Sequence, residues 1–192
     1  MGKTTTTGAD TFSTVVADTA RVTDKPGAYK PFAVGVNPLG LFLGGRFSVQ
    51  AEWVPVTHHA VVVSPHIVRT SHDVATGLND TSNQTFTGVG GELGYRYYTG
   101  NRGMNGLFVG PSLLVGAYNA SVAGNNKGFV DVGIAADVGI KTIIADSVAL
   151  GGGVGLEYLN VSENFGDLPS SASAIAATGF KPRVILEAGY AF

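Results

Sequence analysis

The chain closes on PRVILEAGYAF (residues 182–192), and the way those residues alternate decides the fold. Pro182, Val184, Leu186, Ala188, Tyr190 and Phe192 fall on one parity. Arg183, Glu187 and Gly189 fall on the other, with Ile185 as the apolar exception. Successive side chains of a β-strand point to opposite faces, so this period of two puts charge on one side and large apolar groups on the other. The same pattern recurs upstream in RFSVQAEWV (46–54), where Phe47, Val49, Ala51 and Trp53 oppose Ser48, Gln50 and Glu52.

Read on that period, the chain carries eight strands. The first is expected over 30–43, with Pro38 forcing a bulge and the glycine pair 44–45 making a two-residue hairpin. Strands follow over 46–54, 59–70, 86–100, 106–119, 129–141, 148–160 and the C-terminal stretch. The segment 143–147 and the stretch 100–105 read as turns. The stretches 72–85, 121–127 and 161–179 are rich in polar or small residues and read as loops, which makes the connections after the third, fifth and seventh strands the longer ones. Residues 1–28 lack any sustained period and are expected to form a mobile tail, leaving 29–192 as one β-domain.

Composition narrows the class. Only 14% of the 192 residues are charged, 44% are apolar, and 28 are glycine. A soluble domain carries about a quarter charged residues. The net charge of −2 leaves no basic excess for nucleic acid. With no cysteine there is no disulfide, no thiolate metal site and no thiol catalysis. No run of about 18 apolar residues offers a transmembrane helix. The N-terminal MGKTTTTGAD lacks the apolar core of a signal peptide, so an export signal is expected to have been removed already.

The question is then which parity faces inward. Glu52, Glu92, Arg96, Asp131, Asp137, Lys141, Glu157, Arg183 and Glu187 all share the polar parity, which is otherwise mostly Gly, Ala and Ser. Both signs are present, so these charges can pair inside a narrow lumen. The opposite parity carries Val, Leu and Ile on nearly every strand, as suits a face solvated by lipid. With both termini on the periplasmic side, Phe32, Trp53, Tyr95, Tyr97, Tyr190 and Phe192 lie at one end of their strands, and Phe47 and Tyr158 lie near the other. That is the two-girdle pattern of a barrel in a membrane. Closure leaves no backbone group unpaired in lipid, and eight strands leave a lumen that side chains fill. The expected fold is therefore an all-β, eight-stranded antiparallel up-and-down transmembrane barrel with a filled polar lumen.

The stretches 37–53 (NPLGLFLGGRFSVQAEW), 90–98 (GGELGYRYY), 106–116 (GLFVGPSLLVG) and the terminal GYAF (189–192) make the chain resemble the small eight-stranded outer-membrane barrels of the OmpA/OmpX type, and most of all an uncharacterised bacterial outer-membrane barrel family. The resemblance spans about residues 30–192. It implies a Gram-negative outer-membrane location and contact with membrane lipid and lipopolysaccharide. It also implies that Tyr190 and Phe192 form the C-terminal signal read by the barrel-assembly machinery. The function that follows is structural or interactive, through envelope integrity or display of extracellular loops, without an open pore, enzyme activity or a cofactor. Two other readings stay open. One is a barrel enzyme acting on lipid or lipopolysaccharide; the other is a soluble lipocalin-like carrier of an apolar ligand.

Candidates for chemistry are few. Ser64 and His66 share a parity near Glu52 or Glu92, a set that could serve acyl transfer, but residues two apart on a strand are about 7 Å apart. A luminal polar cluster is the plainer reading. His58 and His59 could hold a metal only at a turn, and no metal site is expected. GGGVG (151–155) lies within a strand with no helix after it, so it is no dinucleotide fingerprint. It is expected to make room for Glu157 and its luminal partners.

Overall fold

The computed structural model describes residues 29–40, 45–75, 81–122, 125–162 and 177–192. The expected tail 1–28 lies outside them, as do 76–80, 123–124 and 163–176 of the expected loops. Eight antiparallel strands, paired in sequence order, close into a barrel: β1 Phe32–Val36, β2 Arg46–Val56, β3 His59–Ala75, β4 Thr81–Tyr98, β5 Gly106–Val122, β6 Asn125–Ile144, β7 Val148–Val161 and β8 Gly179–Ala191. The closing seam pairs Ala33 with Ala191 and Val36 with Ala188. No described helix is long and apolar enough to cross a membrane.

The parity of the sequence becomes inside and outside. Glu52, Glu92, Arg96, Asp131, Asp137, Lys141 and Glu187 are buried, while Leu113, Ile134, Val154 and their like on every strand are exposed. On β7 the exposed apolar row runs from Val148 to Tyr158. Ten residue steps at about 3.4 Å, on strands tilted by about 40°, rise about 26 Å, close to the roughly 25 Å apolar band of a membrane barrel. Above the band the outward positions turn polar, as at Ser71, Asn119 and Asn160.

Several boundaries differ from expectation. The first strand stops at Val36. Pro38 does not make a bulge: residues 38–40 form a helical turn, and Asn37 Oδ1 caps it by accepting from Gly40 N. Gly44 of the expected two-residue hairpin lies outside the described residues. Just before β2, Gly45 has a φ of +62, and a Cβ there would run into the Arg69 carbonyl. The stretches 72–85 and 121–127 are mostly ladder, since pairing continues to Ala75↔Thr81 and Val122↔Asn125. Their residues are polar on both parities, which hides the period, but backbone bonding propagates regardless of what the side chains face. The connection 123–124 is thus shorter than 99–105, contrary to the expected alternation of lengths. β6 runs on to Ile144, and the turn is 145–147, with Ala145 and Asp146 at positive φ, as a tight hairpin turn of the primed kind requires.

Candidate functional site

The lumen is built in layers, each drawn from the even-numbered strands, all of which run in one direction. Glu52 (β2), Arg96 (β4), Lys141 (β6) and Glu187 (β8) meet at one height. Arg96 Nη2 donates to Glu187 Oε1 at 2.6 Å, and Nη1 lies 3.4 Å from Glu52 Oε2. Lys141 Nζ closes the ring, 2.5 Å from Glu52 Oε2 and 3.0 Å from Glu187 Oε2. The ring is neutral, and each of its side chains is at most 5% exposed. Such charges lose their hydration, so they are tolerable only because each finds an opposite charge.

Below the ring, toward the short turns, the lumen is sealed by Val54, Tyr98, Met104 and Phe108 with small alanines. The Phe108 ring also lies under the Arg96 guanidinium at 4.4 Å from its centroid, a cation–π contact in a dry setting. Inward glycines supply the space. A Cβ on Gly139 would sit 2.5 Å from the Phe108 ring, and one on Gly151 would sit 3.3 Å from Glu187 Oε2. The GGGVG stretch therefore makes room for Lys141 and Glu187 as well as for the layer containing Glu157.

Four residues higher on each even strand stands a second layer: Ser48, Glu92, Asp137 and Arg183. Arg183 is the hub, with Nη2 donating to Glu92 Oε2 at 2.8 Å, Nε 3.4 Å from Asp137 Oδ1 and Nη1 3.9 Å from Glu157 Oε2. Above it runs a hydrogen-bonded chain. Arg46 Nη2 donates to His66 Nδ1 at 2.9 Å, which leaves the proton on Nε2 to reach Tyr118 Oη at 3.1 Å, and Tyr118 bonds to Asp131. The rings of Phe86, Tyr118 and Phe129 pack with Val68, Ala120 and Val161 as a second apolar plug. Between the plugs a cavity of about 310 Å³ remains, bordered by both layers.

Each charged residue singled out from the sequence thus lies inward. Glu52, Arg96, Lys141 and Glu187 form one set; Glu92, Asp137, Glu157 and Arg183 form another; Asp131 joins the chain through Tyr118. Ser64 and His66 both face the lumen, but no hydrogen bond joins their side chains among the described residues. Both nitrogens of His66 are engaged elsewhere, so the pair is not a nucleophile with its base. No metal-competent cluster exists among the described residues. His58 sits at the β2–β3 turn with Nδ1 donating to the Tyr98 carbonyl, and His59 Nδ1 lies 2.6 Å from Tyr95 Oη.

The outward aromatics sort by height. At the end with the short turns, the Phe32 ring stacks on Trp53 (centroids 6.0 Å apart) and on Phe192 (6.1 Å), which in turn stacks on Tyr190; Tyr95 and Tyr97 lie beside the two histidines. Phe47 and Tyr158 are exposed nearer the other end. Sequence reasoning passed over Phe180, 73% exposed and 4.9 Å from the Tyr158 ring. It also passed over Arg46, Tyr98 and Phe108 inside. Parity alone could have placed all four: Phe180 continues the row of Pro182 and Val184, and Arg46 the row of Ser48 and Glu52.

The fold is shared with CarO of Acinetobacter baumannii. That crystal structure matches with a TM-score of 0.50 at 14% identity, covering 84% of this chain and 98% of the other. Ail, the attachment invasion locus protein of Yersinia pestis, matches with a TM-score of 0.45 at 12% identity, covering 85% and 97%. No family model and no curated protein matches the sequence. At this identity the similarity to CarO speaks for fold alone. The chain is an all-β, closed eight-stranded antiparallel barrel with the architecture of the small outer-membrane barrels.

Proposed function

We propose that this chain spans a bacterial outer membrane as a barrel closed to solutes. Its termini and its turns at 57–58, 99–105 and 145–147 face the periplasm. Its role is structural, or lies in offering the opposite rim to a partner. The observation that carries this reading is the outer face. Val, Leu and Ile residues stand about 40–60% exposed around the whole barrel, while the charges of the strands pair within. A soluble carrier would hold that face in water, at a cost of about 25 cal/mol for each Å² of apolar surface. Lipid removes the cost. The stacked rows ending in Trp53, Phe32, Phe192 and Tyr190 then sit at headgroup level, where amphipathic rings are favoured. Two apolar plugs and an ion ring across the lumen support a barrel without conductance.

The test is fractionation of expressing cells, heat-modifiable gel mobility and planar-bilayer recording. The expected result is outer-membrane recovery, a folded band that shifts on boiling, and no unitary conductance. Recovery in the soluble periplasm would overturn the membrane reading, and discrete channel openings would overturn closure. For orientation, an epitope inserted between Ala75 and Thr81 should be reached by antibody on intact cells, and one inserted at Thr57 should not.

A further inference from the structure

The outer wall carries a groove within its apolar band. Pro111 of β5 and Ala136 of β6 are paired and face outward, and both are shorter than Leu113 and Ile134, their outward neighbours along the same strands. They form the floor of a depression of about 700 Å³ that reaches from Tyr95 of β4 to Tyr158 of β7 and Phe180 of β8. That volume falls within the range of about 300–1,000 Å³ of small-ligand sites. From β4 to β7 there are three interstrand spacings of about 4.8 Å, so the groove is about 14 Å long.

The groove is not level. Tyr95 stands three residues from the lower end of its strand, at Tyr98, whereas Leu156 stands eight residues from that of β7, at Val148. It climbs from the girdle beside the short turns into the band, as a row drawn across tilted strands must. Its two ends differ. At the upper end the rings of Tyr158 and Phe180, 4.9 Å apart, border it. At the lower end Tyr95 Oη lies 2.6 Å from Nδ1 of His59, whose exposed ring packs edge-on against Tyr97. A slot of hydrocarbon thus ends in a polar pair at head-group level.

We infer that this groove holds one acyl chain of a glycerophospholipid from the leaflet on the short-turn side, with the lipid's phosphate at His59. Tyr95 Oη–H donates to Nδ1, which places the imidazole proton on Nε2, and Nε2–H donates to a phosphodiester oxygen. A hydrogen bond to an ionised acceptor is of the stronger kind. The slope of the groove is that of a chain entering at the interface and running inward, and its donor stands where phosphate oxygens lie. A second copy of this chain fits less well, because the Val, Leu and Ile of its band bring no acceptor to His59. The inference rests on the membrane reading above, and the experiment separates the two.

The protein is refolded into phosphatidylglycerol vesicles that carry a trace of phosphatidylglycerol with a diazirine midway along one acyl chain. Both leaflets hold the same lipid, so either direction of insertion presents phosphate to His59. Failure to insert, read by heat-modifiable mobility, would overturn the membrane reading and this inference with it. In the inserted protein the probe is photolysed and the modified peptides are quantified by mass spectrometry. The expected result is labelling of residues 111–113 and 134–136 well above that of the outward positions of β2, on the opposite wall. The methyl ester of the same diazirine fatty acid, which lacks phosphate, should label both walls alike. Ala136→Leu should remove the enrichment by filling the floor. His59→Phe, which keeps a ring and loses the donor, should lower it about fivefold, as the loss of one net hydrogen bond gives. His59→Gln, which keeps an N–H donor, should retain most of it, and all three variants should show the folded band. Equal labelling of the two walls, enrichment by the ester as strong as by the phospholipid, or undiminished enrichment in folded His59→Phe would overturn the site. Enrichment that falls as the ratio of protein to lipid rises would place a second copy in the groove and overturn lipid as its occupant.

Discussion

The two halves of the lumen are made of the same materials and end up different. Each is built on one position of β2, β4, β6 and β8, four residues apart on every strand, with Glu157 of β7 added to the upper one, and each is capped by an aromatic plug. The lower half is a closed ring in which two cations meet two carboxylates and each side chain is at most 5% exposed. In the upper half Ser48 takes the place of a charge, Arg183 reaches Glu92, Asp137 and Glu157 at distances that lengthen to 3.9 Å, and a cavity lies beside them. The difference teaches that charge parity alone does not say whether a lumen is dry or hollow. The count of partners at each height does.

If the lower ring is the dry one, breaking it should cost most. Arg96→Met leaves Glu52 and Glu187 sharing Lys141, and a loss of about 3–5 kcal/mol is expected. Urea unfolding of the barrel in a bilayer would measure it, and a loss under about 1 kcal/mol would mean that water reaches the ring. Arg183→Met is the matching change above. Arg183 is 18% exposed beside a cavity, and Arg46 is close at hand, so about 1–3 kcal/mol is expected by the same unfolding measurement. A loss larger than that of Arg96→Met would reverse the comparison.

Packing sharpens it further. Gly139→Ala drives a methyl toward the Phe108 ring and the Gly152 carbonyl within the sealed half, so about 1–2 kcal/mol of overpacking is expected in the same urea titration. An unchanged midpoint would show the lower plug to be loose. The smallest effect is expected in the hollow half. Ser64→Ala removes a hydroxyl that borders the cavity, and a change below about 0.5 kcal/mol should follow. The same variant should leave the acyl chains of lipid A incubated with the protein as intact as the wild type does, read by mass spectrometry of the lipid. Deacylation by the wild type, lost in the variant, would restore the enzyme reading that the engagement of His66 speaks against.

Much of this was legible from the chain. The alternation of 182–192 and 46–54 states that one face of each strand is apolar and the other polar, and it holds through β4 to β7 well enough to place Glu92, Asp137 and Lys141 inside. Legibility failed where the period was masked. The polar runs around 72–85 and 121–127 look like loops because neither face is apolar, and β1 looks long because Leu39, Leu41 and Leu43 keep alternating after Pro38 has ended the ladder. Sequence reading also took the small residues of the polar parity as its theme and so overlooked Tyr98 and Phe108, which stand on that same parity.

What sequence alone determined is therefore the side of the wall on which each residue lies, because the period of two is a local property of extended backbone. What only the tertiary structure decided is height. Glu52, Arg96, Lys141 and Glu187 come from four strands that are not neighbours, separated by turns and by a register that no single strand encodes. Whether they form one ring or scatter along the lumen depends on how each hairpin sets its strand against the next around the closed circle. The same register closes the barrel where β1 meets β8, from Ala33↔Ala191 to Val36↔Ala188.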